Sequence, residues 1–145
     1  MIRKFQARDA EAAFALARES PGAAQWSLAS YRELGLASEA TWVAERGGRV
    51  AGFLVARVAG GEAEILNVVV DKTERRLGVA SGLLETARQE FVARSVSRVF
   101  LEVRETNQAA LEFYKKSGFA SSGFRRGYYQ HPPEGAVLME MKLTG

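Results

Sequence analysis

The sequence predicts a mixed α/β domain built on one sheet, mostly antiparallel, with a single parallel β-α-β crossover at its centre. Ile65, Leu66, Val68, Val69 and Val70 form a nearly unbroken apolar, β-branched run, which reads as a strand covered on both faces. Beyond a polar DKTERR turn, Gly78 precedes apolar residues at Ala80, Leu83, Leu84, Ala87 and Phe91, the spacing of one helical face. Arg98 to Val103 then returns as a second apolar strand, which a helical connection makes parallel to the first, with a right-handed crossover.

The other elements follow in order. Ile2 to Phe5 opens the chain as a short strand, and Asp9 is placed to cap a helix through about Glu19 that Pro21-Gly22 ends. Ser27 caps a second helix, Leu28 to about Leu36, with Leu28, Tyr31 and Leu34 or Gly35 on one side. Strands at Thr41 to Glu45 and Arg49 to Val58 are joined by Gly47-Gly48, and Gly60-Gly61 turns into Glu62 to Val70, so three antiparallel strands run in succession. The long helix extends to about Arg94. Thr106 or Asn107 caps a further helix through Lys116, with Gly118 as its stop. Strands near Phe119 to Tyr129 and Ala136 to Leu143 finish the chain around a His-Pro-Pro-Glu-Gly loop. The expected order is β-α-α-β-β-β-α-β-α-β-β.

A chain of 145 residues, 47% hydrophobic and 26% charged, suits one domain spanning 1–145 with one core. No stretch is apolar for the ~18 residues of a membrane span, and MIRKFQARDA lacks an apolar signal region, so a cytoplasmic protein is expected. The absence of cysteine removes disulfides, thiolate metal sites and cysteine nucleophiles. The one histidine, His131, reads as a solvated loop residue and cannot build a histidine metal site, so no metal is expected. A net charge of +3 fits an anionic ligand and is too mild to argue for nucleic acid.

The Ile65 to Leu84 stretch carries the strongest chemical signal. A strand feeds a helix through a loop with Arg75, Arg76 and Gly78, and the first turn of a helix offers unpaired N–H groups and a dipole that favours negative charge. The residues alone leave two readings open, a phosphate-binding turn or a turn glycine beside a solvated basic patch. Glu102 and Arg104 share one face of a strand, either as an exposed ion pair or as a carboxylate at the end of the sheet where ligands gather. Tyr114 and Asn107 read equally as a packing ring and a helix cap, and Trp26 as a packing residue or part of a substrate groove. A P-loop hydrolase does not fit, because the Gly-Lys-Ser/Thr ending is missing.

Taken jointly, these segments resemble a known family. Arg75 to Ala80 has the Arg-x-x-Gly-x-Ala form of the acyl-CoA-binding motif of the GNAT superfamily of N-acetyltransferases. LEVRETNQAALEFYKKSGF (101–119) and FRRGYY (124–129) are similar to the RimI-type bacterial N-terminal acetyltransferases, which modify the terminal alanine of a small-subunit ribosomal protein. The resemblance implies a central sheet that splays to hold acetyl-CoA, with the backbone of Val68, Val69 and Val70 pairing with the pantetheine arm. It implies that Arg76, Leu77, Gly78, Val79, Ala80 and Ser81 hold the pyrophosphate and that Asn107 contacts the cofactor. It further implies Glu102 as general base, Tyr114 as general acid, and Tyr128 and Tyr129 as walls of the peptide groove. Ala80 stands where a glycine is commoner.

The implied roles agree with amine chemistry. An α-amino group with pKa near 7.7–8.0 costs roughly 1 kcal/mol to deprotonate at pH 7, against about 4.6 kcal/mol for a lysine at 10.4. A carboxylate acting through a water therefore suffices for a chain terminus, and a tyrosine can protonate the departing thiolate. The expected function is transfer of acetyl from acetyl-CoA to a protein N-terminus by direct attack. The alternatives are a small-molecule or lysine acceptor on the same fold, or an acyl-CoA sensor without catalysis.

Overall fold

In a computed structural model that describes residues 1–37, 40–75, 78–130 and 133–143, the expected order of elements is observed. It runs β1 (Ile2–Lys4), α1 (Ala10–Arg18), α2 (Leu28–Ala37), β2 (Thr41–Arg46), β3 (Arg49–Ala59), β4 (Glu62–Val70), α3 (Val79–Ala93), β5 (Arg98–Arg104), α4 (Gln108–Lys116), β6 (Ala120–Gln130) and β7 (Pro133–Lys142). Among the described residues these strands form one sheet in the order β1-β2-β3-β4-β5-β7-β6, in which only β4 and β5 are parallel. Both Gly-Gly turns have φ near +60° and +78°, the doubly positive pair that matches strand twist in a tight hairpin.

Helices cover the two faces separately. Tyr31, Phe53, Val43, Val55 and Leu16 form the core under α1 and α2. Trp42, Leu54, Leu83, Phe91, Leu101 and Met139 form the core under α3 and α4. Val79 supplies the buried residue at the start of α3, where the sequence pattern had Ala80; Ala80 is half-buried instead.

β4 differs from its expected form, and the difference shapes the molecule. Both of its faces meet a core, as expected, but full and half burial alternate along it. Ala56 pairs with Ile65 and Val55 with Asn67, leaving Leu66 as an extra residue on β4. This bulge swaps faces, since Ala63, Ile65, Val68 and Val70 meet the α3/α4 core while Leu66 and Val69 meet the α1/α2 core. A bulge bends its strand and steepens the twist. The parallel ladder accordingly ends after three pairs, at Glu64↔Phe100, whereas β5 continues to Arg104 paired with β7 alone. β4 and β5 part there, and the sheet opens.

Three local expectations are corrected. The Asp9 side chain makes no cap bond to α1; its carboxylate takes the Gln6 N–H at 2.8 Å and a two-pronged contact from Arg3, since a buried carboxylate needs a cation more than a helix start needs a cap. Pro133, Glu134 and Gly135 belong to β7, where Gly135 lies flat under the Phe124 ring, so the loop before it is shorter than expected. Where one reading had Glu102 and Arg104 as an ion pair, Arg104 reaches Glu134 at 3.1 Å and Glu102 has Arg125 at 3.8 Å. His131 lies outside the described residues.

Candidate active site

The opening between β4 and β5 has two mouths, one on each face of the sheet. On the α3/α4 side, Val68 and Val70 line β4 half-exposed, whereas Val69 is buried in the opposite core and has only its backbone to offer. No described bridge pairs Ile65–Val70 with β5, so this edge is free to take a strand-like ligand. At its end α3 begins. Gly78 has φ +80°, and nothing stands within 4 Å of where a Cβ would be. The N–H groups of Val79, Ala80 and Ser81 precede the first intrahelical bond, Gly82 N to Gly78 O, and the first turn holds no acidic residue. Arg76 and Leu77 lie outside the described residues; Arg75 is exposed beside them.

Across the opening, Asn107 is the N-cap of α4 and its Oδ1 accepts from Ala110 N at 3.2 Å. Tyr114, two turns on, faces the α3/α4 core between Phe113 and Phe119, with ring centroids at 5.1 and 5.5 Å. Burial pushes its phenol well above the ordinary tyrosine range, so the group stays protonated.

The other mouth is polar. Val99, Leu101 and Val103 enter the α3/α4 core, so Phe100, Glu102 and Arg104 point to the opposite face. Glu102 and Tyr114 thus lie on opposite faces of the sheet. The Glu102 side chain keeps 20% exposure, with Arg125 Nη1 at 3.8 Å. The neighbouring Glu102 carboxylate raises the Tyr128 pKa, through its attraction for the hydroxyl proton foremost and through its charge. Tyr129 packs edge-on against Tyr128 at 5.1 Å, and Arg104 lies over its ring at 4.2 Å. Burial foremost pushes the Tyr129 phenol up as well.

Trp26 is not brought to this cluster by any described contact. It stacks on Tyr31 at 5.5 Å and lines a cavity of about 880 Å³ with Glu33, Leu34, Arg57 and Leu66 of the bulge. Burial pushes the Tyr31 phenol up to about 12, an effect the neighbouring Asn67 amide only partly offsets.

Three contributors escaped the sequence reading. Asn67, in the bulge, is buried and joins the backbone of Ala24 by two hydrogen bonds of 3.1 and 3.2 Å, tying the loop between α1 and α2 to β4. Gly22 of that loop lies so close to Asn107 that a Cβ would meet its Nδ2 at 2.6 Å. Glu134 holds Arg104 at 3.1 Å, Thr106 Oγ1 at 2.8 Å and Thr106 N at 3.2 Å, fixing the β5–α4 loop that presents Asn107; the Thr106 hydroxyl bond foremost keeps the Glu134 carboxyl below its usual range. Only Asn67 left a signal, as the one polar residue inside an apolar run.

Comparisons with known proteins agree with this architecture. The profile of the acetyltransferase (GNAT) family matches residues 6–119. The [ribosomal protein bS18]-alanine N-acetyltransferase of Escherichia coli K12 is 34% identical over 99 residues, covering 67% of each chain. The crystal structure of the ribosomal-protein-S18-alanine N-acetyltransferase from Escherichia coli superposes with a TM-score of 0.87 at 28% identity, covering 100% of this chain and 94% of the other. Ard1 from Thermoplasma volcanium superposes with a TM-score of 0.92 at 31% identity, covering 100% and 98%. A putative streptothricin acetyltransferase from Bacillus anthracis, solved with acetyl coenzyme A, gives 0.66 at 29% identity over 70% of this chain and 61% of the other.

Proposed function

Because the chain belongs to the acetyltransferase (GNAT) family, with acetyl-CoA as donor, we propose that its acceptor is the α-amino group of a protein, the N-terminal alanine of a small-subunit ribosomal protein in the cytoplasm. The observation that supports this reading is the opening of the sheet beyond the Glu64↔Phe100 pair, with Glu102 and Tyr114 on opposite faces. The acceptor-side mouth is open, since nearly all of β6 is exposed and Tyr128 keeps 45% exposure, which suits a polypeptide better than an enclosed small molecule.

The donor-side features fit acetyl-CoA: a free strand edge for its amide-bearing arm and an uncapped helix start for its diphosphate. Bound there, it supplies an activated acetyl group as a thioester. The free N–H groups of β4 near Val70 take up the developing oxyanion. Glu102 accepts the ammonium proton through a water, while Arg125 lies beside its carboxylate. Tyr114, kept protonated by burial, gives its proton to the departing sulfur. The attacking nitrogen sheds its second proton to solvent, from which the Tyr114 phenol is restored, and the tetrahedral carbon collapses to the amide with the acetyl moved once, directly to nitrogen.

Intact-mass spectrometry on three peptides tests this: one starting with free alanine, one blocked at that amine, and one blocked but bearing lysine. A gain of one acetyl confined to the free amino end is expected. Modification of the blocked, lysine-bearing peptide instead moves the acceptor to a side chain, and no modification of any, despite acetyl-CoA binding, leaves a sensor.

A further inference from the structure

The turn between β4 and α3 is held from outside by charges that the chemistry above does not use. Asp71 accepts Thr73 N and Thr73 Oγ1 at 3.0 Å each, winding the turn Lys72–Glu74, and Asp71 N donates to Ala51 O at 2.8 Å. Arg46 and Arg49 flank the Gly47-Gly48 turn of the β2–β3 hairpin and reach across to it. Arg46 Nε stands 2.8 Å from Glu74 Oε2, Arg49 Nη2 3.1 Å from Glu74 Oε1, and Arg49 Nη1 3.0 Å from Asp71 Oδ2. Glu74 is buried, while half of each arginine side chain remains in solvent. The hairpin also presses on what the turn joins: a Cβ at Gly52 would meet Val69 O at 2.8 Å and Val79 Cγ1 at 3.2 Å.

A buried carboxylate four residues before Gly78 is a liability next to a site meant for an anion, because like charges repel. Two arginines neutralise Asp71 and Glu74 and convert the liability into a brace. We propose that Glu74, gripped by Arg46 and Arg49, is a positioning residue that locks the β4–α3 turn and so pre-organises the first-turn N–H groups of α3 for the donor's diphosphate. This rests on the reading that the diphosphate sits at the start of α3. Without the brace the turn must be ordered when the donor binds, and the cost appears as lost donor affinity with the chemical step unchanged.

The test uses the full chain, a saturating acceptor peptide and two donors: acetyl-CoA, and S-acetylpantetheine, which has no diphosphate. For Glu74→Gln we expect KM for acetyl-CoA to rise about tenfold, kcat to stay within about twofold, and KM for S-acetylpantetheine to stay within about twofold. The sign is diagnostic. If Glu74 acted only through its charge, removing it would favour the diphosphate and lower KM for acetyl-CoA, which overturns the brace. Equal losses with both donors overturn it too, as does an unchanged KM for acetyl-CoA in an enzyme that discriminates the donors. Wild-type enzyme that does not distinguish the donors removes the diphosphate site itself, and the brace with it. Should Glu74→Gln fail to fold, the half-exposed pair Arg46→Ala and Arg49→Ala must show the same donor-specific split, and wild-type kinetics there end the proposal.

Discussion

The two mouths of the sheet opening are built by different means. The α3/α4 mouth uses backbone, small side chains and a helix end, all from a run of about twenty consecutive residues, Ile65 to Leu84, closed by Asn107 and Tyr114 on one further helix. The polar mouth is assembled from pairs far apart in the chain: Ala24 with Asn67, Glu102 with Arg125 and Tyr128, Arg104 with Glu134. A binding surface made of backbone tolerates changes in side chains provided the path of the chain is kept. One made of distant side-chain pairs can be altered one pair at a time. Donor recognition should therefore be stiff to substitution and acceptor recognition adjustable, with the two chemical groups standing at the border.

The largest expected effect lies at that border. Glu102→Gln and Tyr114→Phe should each lower kcat by about a hundredfold or more, the range for loss of a positioned acid or base, while KM for acetyl-CoA stays within about threefold. Steady-state kinetics with both substrates varied measures this, and wild-type kcat in both variants would dissolve the assignment. The raised Tyr114 pKa gives a second readout. A group whose pKa is pushed up stays protonated to higher pH, so kcat should show no alkaline loss from this phenol below about pH 10.

Next is the anchor of the α1 side, away from both mouths. Asp9 is buried and bonded to Arg3, which also pairs with Glu45. Burial alone would raise the Asp9 carboxyl, but the Arg3 and Gln6 hydrogen bonds outweigh it and hold the pKa below its usual value. A depressed folded-state pKa adds stability that is present above the ordinary Asp pKa of about 3.9 and lost as pH falls through the lower folded value. Asp9→Asn should cost about 2 kcal/mol at pH 7, less than the 3–5 of a fully buried pair, because Asn keeps hydrogen-bonding groups. Urea unfolding from pH 7 down to 3 should show wild type descending toward the variant at the acid end, whereas parallel curves would assign the loss to packing.

On the donor side, Gly78→Ala separates backbone geometry from side-chain contact. Nothing occupies the space a Cβ would fill, so only the φ of +80° opposes the change, worth about 1–2 kcal/mol. A melt lowered by that amount, together with a raised KM for acetyl-CoA, is expected. An unaltered melt would mean that the turn shifts freely.

The same contrast explains what was legible beforehand. Order of elements, hairpins, the parallel pair and the glycine before α3 depend on neighbours in sequence, and Gly47-Gly48, Gly60-Gly61 and Gly78 announced them. The opening itself was not legible in the residues, because it comes from one extra residue, Leu66, whose apolar side chain looks the same in a regular strand. The bulge moves residues from one core to the other along a strand that is covered, as expected, on both faces. Nor does local pattern reveal that Glu134 would reach back to Thr106, or that Asp9 would prefer Arg3 to the helix it precedes. Nor does it reveal that Trp26 would stack on Tyr31 and line a cavity with Leu66, a placement set by the loop that Asn67 holds.

The smallest effect tests whether the polar mouth is adjustable. Tyr128 is 45% exposed, so its attraction to the Glu102 carboxylate competes with water, and Tyr128→Phe should lower kcat/KM for the acceptor about three- to fivefold, under about 1 kcal/mol. KM for acetyl-CoA should not move, since the ring stands on the opposite face from the donor edge. Because Glu102 raises the Tyr128 pKa above its ordinary value near 10, the phenol keeps its proton throughout the neutral range. The ratio of wild-type to variant activity should then be constant between about pH 6 and 9. A ratio that varies with pH would mean that Tyr128 exchanges protons during turnover, which would transfer part of the acid-base chemistry from the buried phenol of Tyr114 to this exposed one.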